Sequence, residues 1–198
     1  MRELSLKDSS SSSRGNNLTE KELIHLVRRK DPAGMRCFYN RYVGYLTAVC
    51  SRYVVDPSSV KDVLQESFLK MFSHFNQFEY RGDGSLKAWA TRIVVNQALN
   101  HLRGKGRLTC VEALPDLVQE EEDFQLPEIP AAVLQDMIRQ LPDGYRTVFN
   151  LFVFEKKSHR EIASMLGIKE DTSASQLFRA RAQLTRTIKA YIKEHEDG

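Results

Sequence analysis

Arg92, Asn96, Asn100 and Arg103 stand four, four and three positions apart, so on a helix they line one face. Their chemistry is recognition rather than bond making. Guanidinium and carboxamide groups donate to phosphate oxygens, and carboxamides also pair with the edges of unpaired bases. From Ser85 to Arg107 the charged residues are Lys87, Arg92, Arg103, Lys105 and Arg107, with no acid among them. A loop bearing Phe78, Tyr80 and Arg81 precedes this stripe. Rings beside basic groups suit single-stranded nucleic acid, since bases stack on rings while the backbone seeks positive charge. A base swung out of its stack needs such a pocket. Phe68, Phe72, Phe75 and Trp89 fall instead in helical phase with core positions.

A second constellation lies near the C-terminus. Ser158 and Glu161 have capping-box spacing, and Ile162, Ala163 and Leu166 form the inner face of a short helix. Gly167 suits a left-handed close, Ile168 anchors the turn, and a new helix is expected to start at Asp171-Thr172. This is a helix-turn-helix layout, in which the second helix is offered to the major groove. Thr172, Ser173, Ser175, Gln176, Arg179 and Arg181 are expected to reach base edges or phosphates, with Leu177, Ala180 and Leu184 facing inward.

A third patch is of another kind. Asp62, Gln65, Glu66 and Leu69 share one outer helix face. Acids and an amide around an exposed leucine fit protein binding better than nucleic acid.

The elements that must position these groups are all helical. Thr19 and Glu22 form a second capping box ahead of Leu23, Leu26 and Val27. Asp31-Pro32 closes that helix and opens the next, which carries Phe38, Tyr42, Tyr45, Leu46 and Val49. Asp56 to Ser59 breaks it, a third helix follows over 59–75, and Ser85 is placed to cap a fourth that ends near Arg103. Later helices are expected over 131–140, 142–155, 158–166 and 172–194. The fold class is therefore all-α, in two small helical domains. Residues 18–107 form the first and 131–198 the second. Between them, 108–130 is expected to be a flexible acidic linker, carrying Glu112, Asp116, Glu120, Glu121, Glu122, Asp123 and Glu128 without a Lys or Arg. The Ser-rich segment 1–17 is expected to be a disordered tail.

Composition narrows the function classes. The 198 residues carry a net charge of +3, with 41% hydrophobic and 28% charged residues, as in an ordinary soluble protein. No run approaches the roughly 20 apolar residues of a membrane span, and no signal peptide is legible, so a cytoplasmic location without direct membrane insertion is expected. Cys37, Cys50 and Cys110 are too scattered for a disulfide framework or a zinc cluster. The five histidines lack metal spacing, and no glycine-rich phosphate loop is present. No catalytic residue, metal or cofactor is expected, and the chain does not read as an enzyme.

The segments "DVLQESFLKMF" (Asp62 to Phe72), "YRGDGSLKAWATRIVVNQALNHLRGKGR" (Tyr80 to Arg107), "LPDGYRTVFNLF" (Leu141 to Phe152) and "SHREIASMLGIKEDTSASQLFRARAQL" (Ser158 to Leu184) together resemble the extracytoplasmic-function (ECF) sigma factors of bacterial RNA polymerase. The resemblance spans Thr19 to Lys193, in the order domain two, linker, domain four. It implies that Asp62, Gln65, Glu66 and Leu69 dock on the clamp helices of the polymerase β′ subunit, within a core enzyme whose β and β′ subunits are both partners. It implies that Phe78, Tyr80 and Arg81, with Lys87, Arg92, Asn96, Asn100 and Arg103, capture and melt the −10 element. The helix-turn-helix would read the −35 element of promoter DNA. The linker would thread the active-site cleft and the RNA exit path. An anti-sigma partner is also implied. The recognition helix departs from the family in carrying Ser173, Ala174, Ser175 and Gln176 where basic residues are common, so guanine reading by arginine is less available there. The alternative from the residues alone is a polymerase-independent helix-turn-helix regulator.

Overall fold

The computed structural model describes residues 18–106 and 129–196. The expected tail, the linker up to residue 128, Arg107 and Cys110 lie outside the described residues. Among those described, every regular element is a helix, in the order α1 (Glu20–Arg28), α2 (Pro32–Ser51), α3 (Pro57–His74), α4 (Ser85–Gly104), α5 (Ala131–Arg139), α6 (Asp143–Val153), α7 (His159–Leu166) and α8 (Glu170–Glu196). None is long and apolar enough to cross a membrane.

Local chemistry sets most of the boundaries. The Thr19 hydroxyl accepts from the Glu22 amide, and the Glu22 carboxylate accepts from the Thr19 amide at 2.8 Å. Asp31 caps α2 from the Ala33 and Gly34 amides, with Pro32 at the first helical position. Gly34 lets α2 close on α1: a Cβ there would sit 2.5 Å from the Leu26 Cβ. Asp56-Pro57 repeats the device, so α3 begins two residues earlier than the 59–75 expectation. The carboxylate of Asp56, bonded by the Ser59 and Ser58 hydroxyls, is held below its ordinary pKa.

The first bundle, α1–α4, is organised by aromatic rings. Phe38 meets Tyr42, Phe68, Phe72 and Phe75 at centroid distances of 5.1 to 6.1 Å. Phe75 and Phe78 both pack on Trp89, at 5.5 and 5.3 Å. Edge-on and tilted pairs of this kind add about 0.5–1.5 kcal/mol each beyond simple burial.

In the second bundle, Met137, Ile138, Leu141, Tyr145, Ala180, Leu184 and Ile188 pack α5 and α6 on α8. The two bundles also touch. Val148, Leu151, Ile162, Leu166 and Leu177 join the apolar cluster that contains the first bundle's core. At this seam the buried Arg146 donates to the Tyr53 carbonyl at 3.0 Å, and Asn150 donates to the Arg52 carbonyl at 2.8 Å. Both carbonyls belong to the chain leaving α2, where helix-end oxygens lack intrahelical donors.

Candidate nucleic-acid and polymerase interfaces

Helix α4 positions the stripe. Leu86, Ala90, Val94, Ala98, Leu99 and Leu102 are buried, which turns Arg92, Asn96, Asn100 and Arg103 outward. Arg103 is already engaged, donating to the Asn100 side-chain oxygen at 3.2 Å and to the Met165 carbonyl of α7 at 2.9 Å. Lys87 lies 4.0 Å from the centre of the Tyr45 ring. Lys87, Arg92 and Asn96 line a groove of about 480 Å³, whose opposite wall is Leu151, Glu155, Lys157 and Met165 of the second bundle. Burial raises the pKa of Glu155, with Arg52 and Lys157 acting against that rise. Part of the stripe thus faces the other domain in this arrangement.

The preceding loop differs from expectation. Phe78 was expected among the DNA-facing residues, but it is 4% exposed and belongs to the Phe75–Trp89 cluster. A one-turn 3-10 helix, Phe75–Gln77, continues α3, and residues three apart in such a turn stack on one face, so Phe78 follows Phe75 inward. Tyr80 is half-buried, and Arg81 is exposed and paired with Glu79 at 3.1 Å. The Tyr80 hydroxyl donates to Asp83 at 2.6 Å. That bond, with some desolvation and the nearby charges of Asp83 and Glu20, pushes its pKa up to about 12.

On α3 the side chains of Asp62, Gln65, Glu66 and Leu69 are all outward. Leu69 is 63% exposed. Asp62, Gln65 and Leu69 line a shallow groove of about 1140 Å³ together with Tyr39, Phe68 and Phe72. Glu66 turns to the other flank, where its carboxylate accepts from the Gln97 amide of α4 at 3.4 Å.

The helix-turn-helix has the expected skeleton. Ser158 and Glu161 close a reciprocal cap on α7. Lys157, then the Ser158 amide and hydroxyl, hold the Glu161 carboxyl at about 2. Gly167 adopts φ +70°, and its amide and that of Ile168 both donate to the Ala163 carbonyl. Helix α8 starts at Glu170, slightly ahead of the predicted Asp171-Thr172.

Two expected base readers are corrected. Ser173 is fully buried, with its hydroxyl 3.0 Å from His159 Nδ1. Gln176 is 6% exposed and lies against Gly144, where a Cβ would approach its Oε1 to 3.3 Å. Both fall on the stripe of Leu177, Ala180 and Leu184 that packs α8 on α6 and α7. Ser175 and Arg181 are exposed, and Thr172 and Arg179 are half-buried. The exposed ridge also contains Phe178, which the sequence reading did not single out. Its position one turn from Ser175 and Arg181, off the inward stripe, was the available signal. Among the described residues no cluster of His, Cys, Asp or Glu could hold a metal ion.

The model for Sigma-70 region 2 matches residues 38–108, and that for Sigma-70, region 4 matches 131–184. The RNA polymerase sigma-H factor of Pseudomonas aeruginosa is 30% identical over 88% of this chain and 96% of its own length. The ECF RNA polymerase sigma-E factor of Salmonella typhimurium is likewise 30% identical, over 89% of this chain and 97% of its own. The chain belongs to the ECF RNA polymerase sigma factors. A co-crystal structure of the sigma factor RpoE with the anti-sigma factor NepR from Bartonella quintana is 20% identical with a TM-score of 0.47, covering 77% of this chain and 96% of that one. In this sigma factor the region 2 match runs from within α2 to the end of α4, and the region 4 match from α5 into α8.

Proposed function

We propose that this sigma factor binds core RNA polymerase through α3 and directs initiation at promoters that it reads with two separate surfaces. Asp62, Gln65, Glu66 and Leu69 form the polymerase contact on β′. Tyr80 and Arg81, with Lys87, Arg92, Asn96, Asn100 and Arg103, hold the unwound −10 strand. Thr172, Ser175, Arg179 and Arg181, joined by Phe178, contact the −35 duplex. An aromatic ring there suits the methyl group of thymine. The domains are residues 18–107 and 131–198, joined by the acidic segment 108–130.

The observation that carries this reading is the outward ridge of Arg92, Asn96 and Asn100 on a helix that itself has no carboxylate. Such a ridge suits strand backbone and the edges of unpaired bases, and the Tyr80 ring in the loop ahead of it adds a surface for stacking. Extracting a base costs a few kcal/mol, and stacking returns about 1–3 kcal/mol per base, so binding energy drives melting without ATP. The protein supplies no bond-making group in this scheme and is not an enzyme. It works in the cytoplasm beside polymerase and chromosome, and an anti-sigma protein that covers the same surfaces is its expected regulator.

The closed seam of α6 and α7 against the stripe has to part before a strand lies along Asn96. Polymerase provides the anchorage that holds the domains apart. Asn96→Ala is expected to reduce open-complex formation, read by permanganate footprinting, while polymerase capture in a pull-down stays unchanged. Equal loss of both would refute the assignment. A gel shift on duplex promoter without core polymerase separates this reading from a free-standing regulator, which would bind as well alone.

A further inference from the structure

The start of α4 lacks a cap of its own. Gly84 occupies the capping position at φ +85° and has no side chain to accept the free first-turn amides, and Ser85, expected to serve, is already the first helical residue. The acceptor comes from α1 instead. One Glu20 carboxylate oxygen accepts the Gly84 amide at 2.7 Å, and the other accepts the Leu86 amide at 2.7 Å. Two turns further along α1, Arg28 donates to the Phe78 carbonyl at 2.6 Å. Lys21, between them, places its ammonium 5.3 Å from the centre of the Tyr80 ring. One helix therefore grips both ends of the segment Phe78–Gly84 and touches its middle, across sequence gaps of 50 and 64 residues.

Each of these bonds has a charged partner, and charge-assisted bonds are about twice as strong as neutral ones. The Glu20 carboxylate also lies at the positive end of the α4 dipole. The span matches the load: residues 20 and 28 are about 12 Å apart on a helix rising 1.5 Å per residue, which fixes the separation of the loop's ends. Glycines at 82 and 84, both at positive φ, would otherwise let the loop choose among many shapes.

We propose that α1 is a positioning element for promoter recognition, with Glu20 and Arg28 holding the Tyr80–Asp83 loop in the one shape that accepts its −10 base. This rests on the reading that the loop takes a −10 base. Glu20 touches no DNA. It acts by removing alternative loop conformations, so its loss blurs base choice more than it lowers polymerase affinity.

The test uses the full chain with core polymerase on promoters carrying each of the four bases at every −10 position. Glu20→Ala, the milder Glu20→Gln and Arg28→Ala are compared with the loop variants Tyr80→Ala and Arg81→Ala. Amide hydrogen exchange at Gly84 and Leu86 and the melting temperature are recorded alongside. Glu20→Ala is expected to speed exchange at both amides by about tenfold or more, and to compress the preference for the best −10 base by a similar factor. Polymerase affinity and −35 preference should stay within about twofold. Glu20→Gln, which keeps one acceptor oxygen but loses the charge, should fall between. If Tyr80→Ala and Arg81→Ala alter base preference while the Glu20 and Arg28 variants lower only overall output, the positioning role is wrong and the loop reading stands. If the loop variants leave base preference intact, the loop reading fails and the proposal falls with it.

Discussion

Asn150→Ala probes the closed arrangement of the two bundles. The Asn150 amide makes two bonds at 2.8 Å, one to the Arg146 carbonyl within α6 and one across the seam to the Arg52 carbonyl. Only the second holds the domains together. Among the described residues it is one of four such tethers, with Arg103 to the Met165 carbonyl, Arg139 to the Val55 carbonyl and Arg146 to the Tyr53 carbonyl. Removing one tether weakens the closed form while leaving the apolar contacts of the seam in place. Losing one net hydrogen bond costs about 0.5–1.5 kcal/mol, which shifts the closed-to-open ratio by roughly two- to tenfold. If the closed form covers the Lys87–Arg92–Asn96 groove, the free protein's apparent affinity for a single strand is reduced by its closed fraction. Binding of a fluorescent −10 oligonucleotide to free Asn150→Ala protein should therefore tighten by about two- to tenfold, with helicity retained. Unchanged or weaker binding by a folded variant would show that the seam does not gate the stripe.

Four further outcomes are expected. Leu69→Asp should lower affinity for core polymerase by about tenfold or more in a binding titration, without moving the melting temperature, because the side chain is outside the core. Phe78→Ala should destabilise the first bundle by about 3–5 kcal/mol in urea, since it removes a core ring. Ser158→Ala should cost the helix-turn-helix about 0.5–2 kcal/mol in the same assay. The Glu161 carboxyl is held below its ordinary 4.5, so the folded state binds its proton less tightly than the unfolded chain does. Its stabilising contribution is complete above about 4.5 and is lost as pH falls toward about 2, so Glu161→Gln should flatten that acid limb of a melting-temperature profile.

What could be read from the sequence was what adjacent residues decide. The caps at Thr19, Asp31 and Ser158 and the turn at Gly167 are local chemistry, and each lies where its spacing placed it. The outward phase of Arg92, Asn96 and Asn100 followed from α4 alone. The errors came from phase carried across a boundary and from distant partners. Extending the Leu177–Ala180–Leu184 stripe backward reaches Gln176 and Ser173, yet their polarity suggested exposure. His159 and the bare backbone of Gly144 are what accommodate them inside. Phe78 looked like a loop residue because the 3-10 turn linking it to Phe75 leaves no apolar period to follow. Glu20 as the cap of α4 was not legible, since its partners lie 64 and 66 residues away.

The most direct measurement is multiple-template run-off transcription with purified core RNA polymerase, with and without this chain, over a promoter library varied in both the −10 and −35 elements. Transcripts should start at a defined subset of promoters only when the chain is added, and changes at either element should abolish them. If the polymerase initiates at no site that it could not already use alone, the assignment of these surfaces to promoter recognition is contradicted.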